Sequence, residues 1–241
     1  MILFPLIFAL VALCAFMVFE LKKKYFVAIF LKGFASLGFI LTFGFAVLTR
    51  LEAYHDGSIH NLLYDSGLYT ATMLFLFGLV CGLLGDIFLA LRPLLSPEKD
   101  KKIIVGGIVY FAVGHVFYLV ALLLVGSFSY LSVIFGLVMV VIVFLGSKIL
   151  KFQMGIAKYP TLAYTFLIFM MVGQAFANGL ATDFSTFTSL VFAGALLFSV
   201  SDLLLAPIYY QGNKNKFIIG SNLITYYAAQ LLIAISILFI A

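Results

Sequence analysis

Long runs of apolar residues, separated by short polar stretches, form the dominant pattern along this chain. Eight runs can be marked, at residues 1–19, 25–49, 68–91, 103–125, 130–150, 160–180, 187–210 and 217–240. Each is close to the roughly 20 residues that a helix needs to cross a hydrocarbon core about 30 Å thick. A membrane β-barrel would instead show short segments of alternating hydrophobicity. The pattern therefore predicts an all-α membrane protein with eight transmembrane helices in one domain over residues 1–241.

Composition supports this class. Hydrophobic residues make up 65% of the 241 residues and charged residues 10%, whereas a soluble domain is about half apolar and a quarter charged. This excludes a soluble globular protein and a disordered chain. Cys14 and Cys81 both lie within apolar runs and predict neither a disulfide nor a metal site. The first run has no preceding basic region and no cleavage pattern, so we expect a retained helix rather than a signal peptide.

The basic residues follow the connections between the runs. Twelve of the fourteen lie in or beside the odd-numbered connections: Lys22, Lys23, Lys24, Arg92, Lys99, Lys101, Lys102, Lys148, Lys151, Lys158, Lys214 and Lys216. Basic connections stay in the cytoplasm, so both termini are predicted on the non-cytoplasmic side. The net charge of +5 thus indicates membrane topology and contact with anionic lipids, not nucleic-acid binding. The preference for Lys over Arg and the short connections favour a bacterial inner membrane over the endoplasmic reticulum.

Two further features concern organisation. The connection at residues 126–129 is short, which predicts that the fourth and fifth helices form an antiparallel hairpin. A weak internal repeat relates Asp86 to Asp202, and Gly78 to Gly194, at an offset of 116 residues. Four helices per half would make it a 4+4 parallel repeat.

Four ionisable residues are predicted inside the apolar runs: Lys32, Asp86, His115 and Asp202. Because such groups cost several kcal/mol in hydrocarbon, they are candidates for a functional site. At a rise of about 1.5 Å per residue, they and Tyr226 lie roughly 9–18 Å below the predicted cytoplasmic face. Residues from five helices at similar depth predict one polar cavity open to the cytoplasm.

Neutral polar residues extend this set by helical spacing. Asn222, Tyr226 and Gln230 are four residues apart and share one stripe of the eighth helix, and Tyr118 follows His115 by one turn. On the third helix, Gly78 and Gly82 precede Asp86 on one stripe, which allows a close helix approach.

Several of these residues also have a purely structural alternative. Lys32 could extend to the membrane surface, Asp86 could pair with Lys32 or Arg92, and His115 could be a packing residue. Tyr226 and Gln230 could simply join helices, as we expect for Gln174 and Asn178 in the outer half of the sixth helix. In the second connection, His55 and His60 are expected to be solvated. The ionisable residues are too scattered to predict a metal site, and no cofactor is predicted.

Four segments carry a resemblance to a known family: CGLLGDIFLAL (81–91), IVGGIVYFAVGHVFYLVAL (104–122), GALLFSVSDLLLA (194–206) and ITYYAAQLLI (224–233). They resemble, in order and spacing, the Gly-Asp, His-x-x-Tyr, Ser-Asp and Tyr-Tyr-x-x-Gln signatures of the YhhN-type lysoplasmalogenases, which are eight-helix membrane proteins. They cover about a quarter of the chain, and the helix count extends the match. One departure is Lys32-Gly33, where the family often has Lys-Pro.

The resemblance implies hydrolysis of the vinyl ether bond of a lysoplasmalogen to a fatty aldehyde and a glycerophospho-ethanolamine or -choline. This chemistry needs a carboxylic acid to protonate carbon and a carboxylate to stabilise the oxocarbenium ion or activate water. We therefore expect Asp86 and Asp202 to be the catalytic pair, with Asp202 as proton donor. Lys32, His115, Tyr118, Asn222, Tyr226 and Gln230 are expected to bind substrate or relay protons.

Two other classes stay open at this stage. Buried Asp, Lys and His residues could form the proton relay of a lysolipid transporter or flippase, although no helix has a Gly/Pro break near the midplane. A lipid-binding protein without chemistry is the third class. The expected partners are a lysophospholipid substrate and membrane lipids. The sequence predicts neither the headgroup preference nor the oligomeric state.

Overall fold

The computed structural model describes residues 2–53 and 66–240, and within them every regular element is helical. The eight long helices are α1 (Leu3–Leu21), α2 (Tyr25–Ala53), α3 (Ser66–Ala90), α4 (Pro97–Leu124), α5 (Tyr130–Ile149), α6 (Lys158–Ala181), α7 (Thr186–Tyr210) and α8 (Lys216–Ser236). Each is long and apolar enough to cross a membrane. The prediction of eight membrane-spanning helices is confirmed. His55 and His60 lie outside the described residues.

Helix ends differ from the apolar runs where polar residues continue the helix. α4 begins at Pro97, six residues before the predicted start, so Lys99, Lys101 and Lys102 belong to its first turns. Apolar runs mark the part of a helix that lies in hydrocarbon, and a helix can continue beyond it into water. Serine and asparagine N-caps fix other starts: the side chains of Ser129, Ser185 and Asn215 accept backbone N–H groups of α5, α7 and α8.

Six helices form a ring around the interior. Neighbours in this ring pack in the order α2, α3, α4, α6, α7, α8 and back to α2, with α1 outside on α2 and α5 outside on α6. If α1, α2, α3 and α4 are exchanged in that order for α5, α6, α7 and α8, the helices keep the same neighbours around the ring and outside it. The proposed duplication itself stays a prediction, as does the side of the membrane on which the termini lie.

The predicted hairpin of the fourth and fifth helices is wrong. α5 packs on α6, and α6 lies between it and α4; over the described residues, α4 and α5 have almost no close approach. The reason is the polar pair on α6. The Gln174 amide donates to the Ser127 carbonyl at 2.9 Å, and Asn178 donates to the Leu122 carbonyl at 2.8 Å. These bonds join α6 to the α4–α5 connection and to the last turn of α4. Gln174 and Asn178 are therefore helix-joining residues, as expected.

Glycines on α3 allow its closest contacts. A Cβ atom on Gly78 would overlap the ring of Tyr118 on α4, and one on Gly82 would lie 2.5 Å from the amide nitrogen of Gln230 on α8. α3 therefore contacts both helices along the stripe that ends at Asp86, as the spacing predicts.

Candidate functional site

A cavity of about 430 Å³ extends from one end of the helix ring into its interior. Its mouth is formed by the third and seventh connections, including Arg92 and Lys214, and its wall by side chains of α1, α2, α3, α4, α7 and α8. Asp86 and Asp202 both line it. Its volume is in the usual range for ligand sites, about 300–1,000 Å³. The two aspartates thus face a common space, at the end where the basic connections lie.

Asp86 is held by donors from two other helices. Lys32 Nζ on α2 is 3.2 Å from Oδ1, while Ser36 Oγ and Tyr226 Oη donate to Oδ2 at 2.7 and 2.6 Å. The residue is only 3% exposed. Three donors, one of them cationic, therefore compensate this carboxylate. They come from a lysine and a serine one turn apart on α2 and a tyrosine on α8.

A chain of hydrogen bonds runs from Asp86 away from the cavity. Gln230 Nε2 donates to Tyr226 Oη at 3.3 Å, and Tyr118 Oη donates to Gln230 Oε1 at 3.0 Å. Tyr118 and Gln230 are each 1% exposed, and neither lines the cavity. These two predicted site residues therefore support Tyr226 from behind rather than facing a ligand.

Lys32 does not extend to the membrane surface. Its side chain is 12% exposed and ends at Asp86. Arg92 instead forms a bidentate pair with Asp100, at 2.7 and 2.9 Å, and its guanidinium lies 4.0 Å from the ring centre of Tyr209. Of the two partners considered for Asp86, the structure therefore selects Lys32. Through its contacts with Asp100 and Tyr209, Arg92 joins the ends of α3, α4 and α7 at the mouth of the cavity.

Asp202 has a different environment. It is partly exposed and lines both the large cavity and a second, smaller one. The Tyr164 hydroxyl lies close to its carboxyl group, but the geometry is not that of a regular hydrogen bond. Within the described ranges, no lysine, arginine or histidine forms an ion pair with Asp202. Of the four carboxylates that line the cavity, which include Glu20 and Asp100, Asp86 is thus paired with a lysine and Asp202 has no cationic partner among the described residues.

The chain is similar to a known protein family. Residues 58–237 match the model of the YhhN family, which is about three quarters of the chain. The chain belongs to the YhhN family. No curated protein and no solved structure matches it.

Two predicted site residues of this YhhN chain have mainly structural contacts. Asn222 Nδ2 donates at 2.8 Å to both the carbonyl and the hydroxyl of Ser201, and so joins α8 to α7 at the cavity wall. His115 Nδ1 lies 2.8 Å from the Phe111 carbonyl on its own helix, and its ring packs against Phe198 with 4.6 Å between centroids. His115 lines neither cavity described here. Its Nε2 atom is buried and has no hydrogen-bond partner among the described residues, so its place in the site stays a prediction.

Sequence reasoning missed three residues of the site. Ser36 lies one turn after Lys32 on the same helix face, so the spacing could have found it once Lys32 was chosen. The Tyr227 hydroxyl is 3.2 Å from Ser36 Oγ, and it is the other tyrosine of the Tyr-Tyr motif. Tyr164 has no such signal, because it is one of 13 tyrosines and lies in no recognised motif.

The arrangement suits acid–base chemistry on an amphiphile. Three groups of the cavity carry positive charge, two of them at its mouth, and its interior is lined by apolar and aromatic side chains such as Phe16 and Phe111. Among the described residues, no three His, Cys, Asp or Glu side chains cluster in a way that could hold a metal ion.

Proposed function

We propose that this YhhN protein is a lysoplasmalogenase-type hydrolase, which cleaves the vinyl ether bond of an alkenyl-lysophospholipid. The observation that carries the proposal is the pair of unlike carboxylates, Asp86 and Asp202, in one cavity. Asp86 is held by Lys32, Ser36 and Tyr226, while Asp202 lacks a cationic partner in the described part of the chain.

The roles follow from the reaction. Asp202, as the carboxylic acid, transfers a proton to the β-carbon of the vinyl ether and leaves an oxocarbenium ion at the α-carbon. Asp86, as the carboxylate, stabilises this cation and accepts a proton from the attacking water. The hemiacetal then breaks into an aldehyde and the glycerol hydroxyl. Three donors fix the carboxylate of Asp86 in place, whereas Asp202 has no cationic partner among the residues that the structure describes and is the group that we assign to carry the proton.

The cavity mouth suits the polar end of such a substrate. Lys214 lines it and its ammonium group attracts a phosphate, whereas Arg92 at the same mouth is already paired with Asp100. Lys32, which could have met the phosphate, is already paired with Asp86. We therefore assign the headgroup to the mouth and the vinyl ether to the level of the two aspartates.

The test uses purified protein in detergent micelles with alkenyl-lysophosphatidylethanolamine, and aldehyde release is measured. Acyl-lysophospholipid and diacyl phospholipid serve as controls that lack the vinyl ether. Asp86→Asn and Asp202→Asn should each abolish release, while Asp183→Asn, a matched change at the opposite end of the molecule, should not.

The assay also separates the other two classes. A transporter needs a sealed vesicle and releases no aldehyde in micelles, and a non-catalytic binder retains lysolipid without turnover. Absence of aldehyde from the wild-type protein would overturn the proposal. Full activity in either aspartate variant would remove that residue from the mechanism.

A further inference from the structure

A second cavity, of about 80 Å³, lies between α4, α6 and α7. We call it the apolar cleft; residues that define it include Ile104, Ile108, Ile168, Phe169, Ser199 and Leu203. It shares Asp202, Phe111 and Tyr209 with the large cavity. The two spaces therefore meet at the carboxylate that the proposed mechanism uses as the proton donor.

The hydroxyl groups of the apolar cleft are almost all satisfied within the protein. Thr161 and Tyr210 bond to each other at 2.6 Å, Thr165 donates to the Thr161 carbonyl, and Ser199 donates to the Leu196 carbonyl. Among the described residues that line the cleft, the buried hydroxyl without a regular partner is that of Tyr164, beside Asp202. The wall thus offers mainly hydrocarbon to a ligand, with the Tyr164 hydroxyl and the Asp202 carboxylate at its junction with the polar cavity.

The size and position of the cleft indicate how a chain would lie in it. At about 30 Å³ for each water-sized group, 80 Å³ holds roughly three such groups. A long hydrocarbon chain therefore cannot be enclosed. Leu203, which lines the cleft, is 44% exposed on the outer surface of α7. The cleft therefore reaches the lipid-facing side of the bundle.

We propose that the apolar cleft binds the first carbons of the lysolipid chain and directs the rest of the chain past Leu203 into the bilayer. In a lysoplasmalogen, the vinyl ether is the boundary between the polar headgroup and the chain. In the protein, Asp202 and Tyr164 mark the boundary between the polar cavity and the apolar cleft. When the polar–apolar boundary of the lipid lies at the polar–apolar boundary of the protein, the vinyl ether lies beside Asp202. This inference rests on the proposed function, because it assigns the chain site of the same substrate.

The first experiment fills the cleft. Ser199→Leu replaces a buried hydroxyl by a branched apolar group in a space for about three carbons. Long-chain alkenyl-lysolipid should lose about tenfold or more in kcat/KM, as expected when a pocket loses room for methylene groups. A vinyl ether with the same headgroup, whose alkenyl group ends at the vinyl carbons, has no chain in the cleft and should be affected much less. Val200→Leu, on the lipid-facing side of the same turn, is the control and should keep both activities.

The second experiment depends neither on turnover nor on the folding of a variant. A lysolipid with a saturated ether, which is not hydrolysed, carries a photoreactive diazirine near the headgroup end of its chain. With wild-type protein, it should label α6 and α7 at cleft residues such as Ile168 and Ser199. Labelling confined to the large cavity, for example at Phe16 or Leu223, would overturn the inference.

The outcomes separate the two proposals. If the cleft is labelled but neither substrate yields aldehyde, the chain site stands and the hydrolase proposal fails. If aldehyde is released and Ser199→Leu lowers turnover of the long-chain lipid and of the vinyl ether without a chain equally, or leaves both unchanged, the chain site is wrong and the hydrolase proposal stands.

Discussion

Tyr226 is the residue through which the hydrogen-bond chain of α4 and α8 reaches Asp86, the carboxylate of the proposed mechanism. Its hydroxyl donates to Asp86 Oδ2 at 2.6 Å and accepts from Gln230 at 3.3 Å. Tyr226→Phe removes this donor but leaves Lys32 and Ser36 on Asp86. A hydrogen bond to a charged group contributes about 1.5–3 kcal/mol, so we expect a fall in kcat/KM of roughly ten- to hundredfold.

Tyr227→Phe is the matched control for this change. The Tyr227 hydroxyl is 3.2 Å from Ser36 and makes no hydrogen bond to Asp86 among the described contacts. Its loss should therefore lower aldehyde release much less. Equal losses in the two variants would show that Tyr226 acts through general packing of the paired rings.

Because Lys32 and Asp86 form a buried ion pair, changes at these two residues should affect thermal stability and activity differently. Lys32→Met leaves a buried carboxylate without its cation, and breaking a buried pair in this way costs about 3–5 kcal/mol. The double change Lys32→Met with Asp86→Asn removes both charges. Thermal unfolding in detergent should therefore show a higher Tm for the double variant than for Lys32→Met alone, while aldehyde release stays abolished. A double variant less stable than Lys32→Met would contradict the buried ion pair.

Residues of the candidate site can be predicted from the sequence only where both the residue type and its position along the helix point to a site. Lys32, Asp86 and Tyr226 could be chosen because polar groups in hydrocarbon are rare and lie at similar depth. His115 met the same criteria, yet its bond to the Phe111 carbonyl keeps it in the packed interior. Tyr164 could not be chosen, because a tyrosine in a membrane helix is ordinary and only the fold brings it near Asp202.

At the level of helices, length and number follow from hydrophobicity, but neighbours do not. The short 126–129 connection predicted that α4 and α5 would pack together, and α6 packs between them instead. Small residues explain the choice: a Cβ atom on Gly173 of α6 would lie 2.8 Å from Ser132 Cα of α5. Pairs of small residues, such as Gly173 and Ser132, allow the backbones of two helices to approach closely. A single sequence does not reveal which small residues will face each other.

The α3–α8 contact gives a prediction for one such glycine. Gly82→Ala adds a Cβ atom 2.5 Å from the Gln230 amide nitrogen. Because a side-chain end can move, the bundle should still fold, but the Gln230 bond to Tyr226 should be lost. We expect kcat to fall by several-fold, up to about tenfold, as for loss of one hydrogen bond of roughly 1 kcal/mol.

Gly44→Ala on α2 is the control for that change, because a Cβ atom there has no neighbour within 4 Å. It should keep full activity and raise the free energy of unfolding by up to about 1 kcal/mol through helix propensity. If Gly82→Ala were as active as Gly44→Ala, the Gln230–Tyr226 bond would have no part in the reaction.

At the scale of the whole molecule, the polar cavity and the basic connections share one end. Arg92 and Lys214 from the third and seventh connections line its mouth together with Asp100 in the first turn of α4. The Gln153 N–H donates to the Tyr210 carbonyl, which brings the fifth connection to the same end. Because basic connections remain in the cytoplasm, we predict that the cavity opens to the cytoplasm and draws its substrate from the inner leaflet.

Two exposed serines at opposite ends can test this orientation. Ser96 precedes α4 at the cavity end, and Ser127 lies in the α4–α5 connection at the other end. In a background with Cys14 and Cys81 replaced by Ala, Ser127→Cys should react with a membrane-impermeant maleimide on intact cells. Ser96→Cys should react only after the membrane is opened. The reverse pattern would place the mouth outside, and the basic residues would then serve the cavity rather than the topology. Because Ser96 and Ser127 lie on either side of the same helix, each serves as the control for the other, and a local change in α4 cannot produce opposite labelling at its two ends.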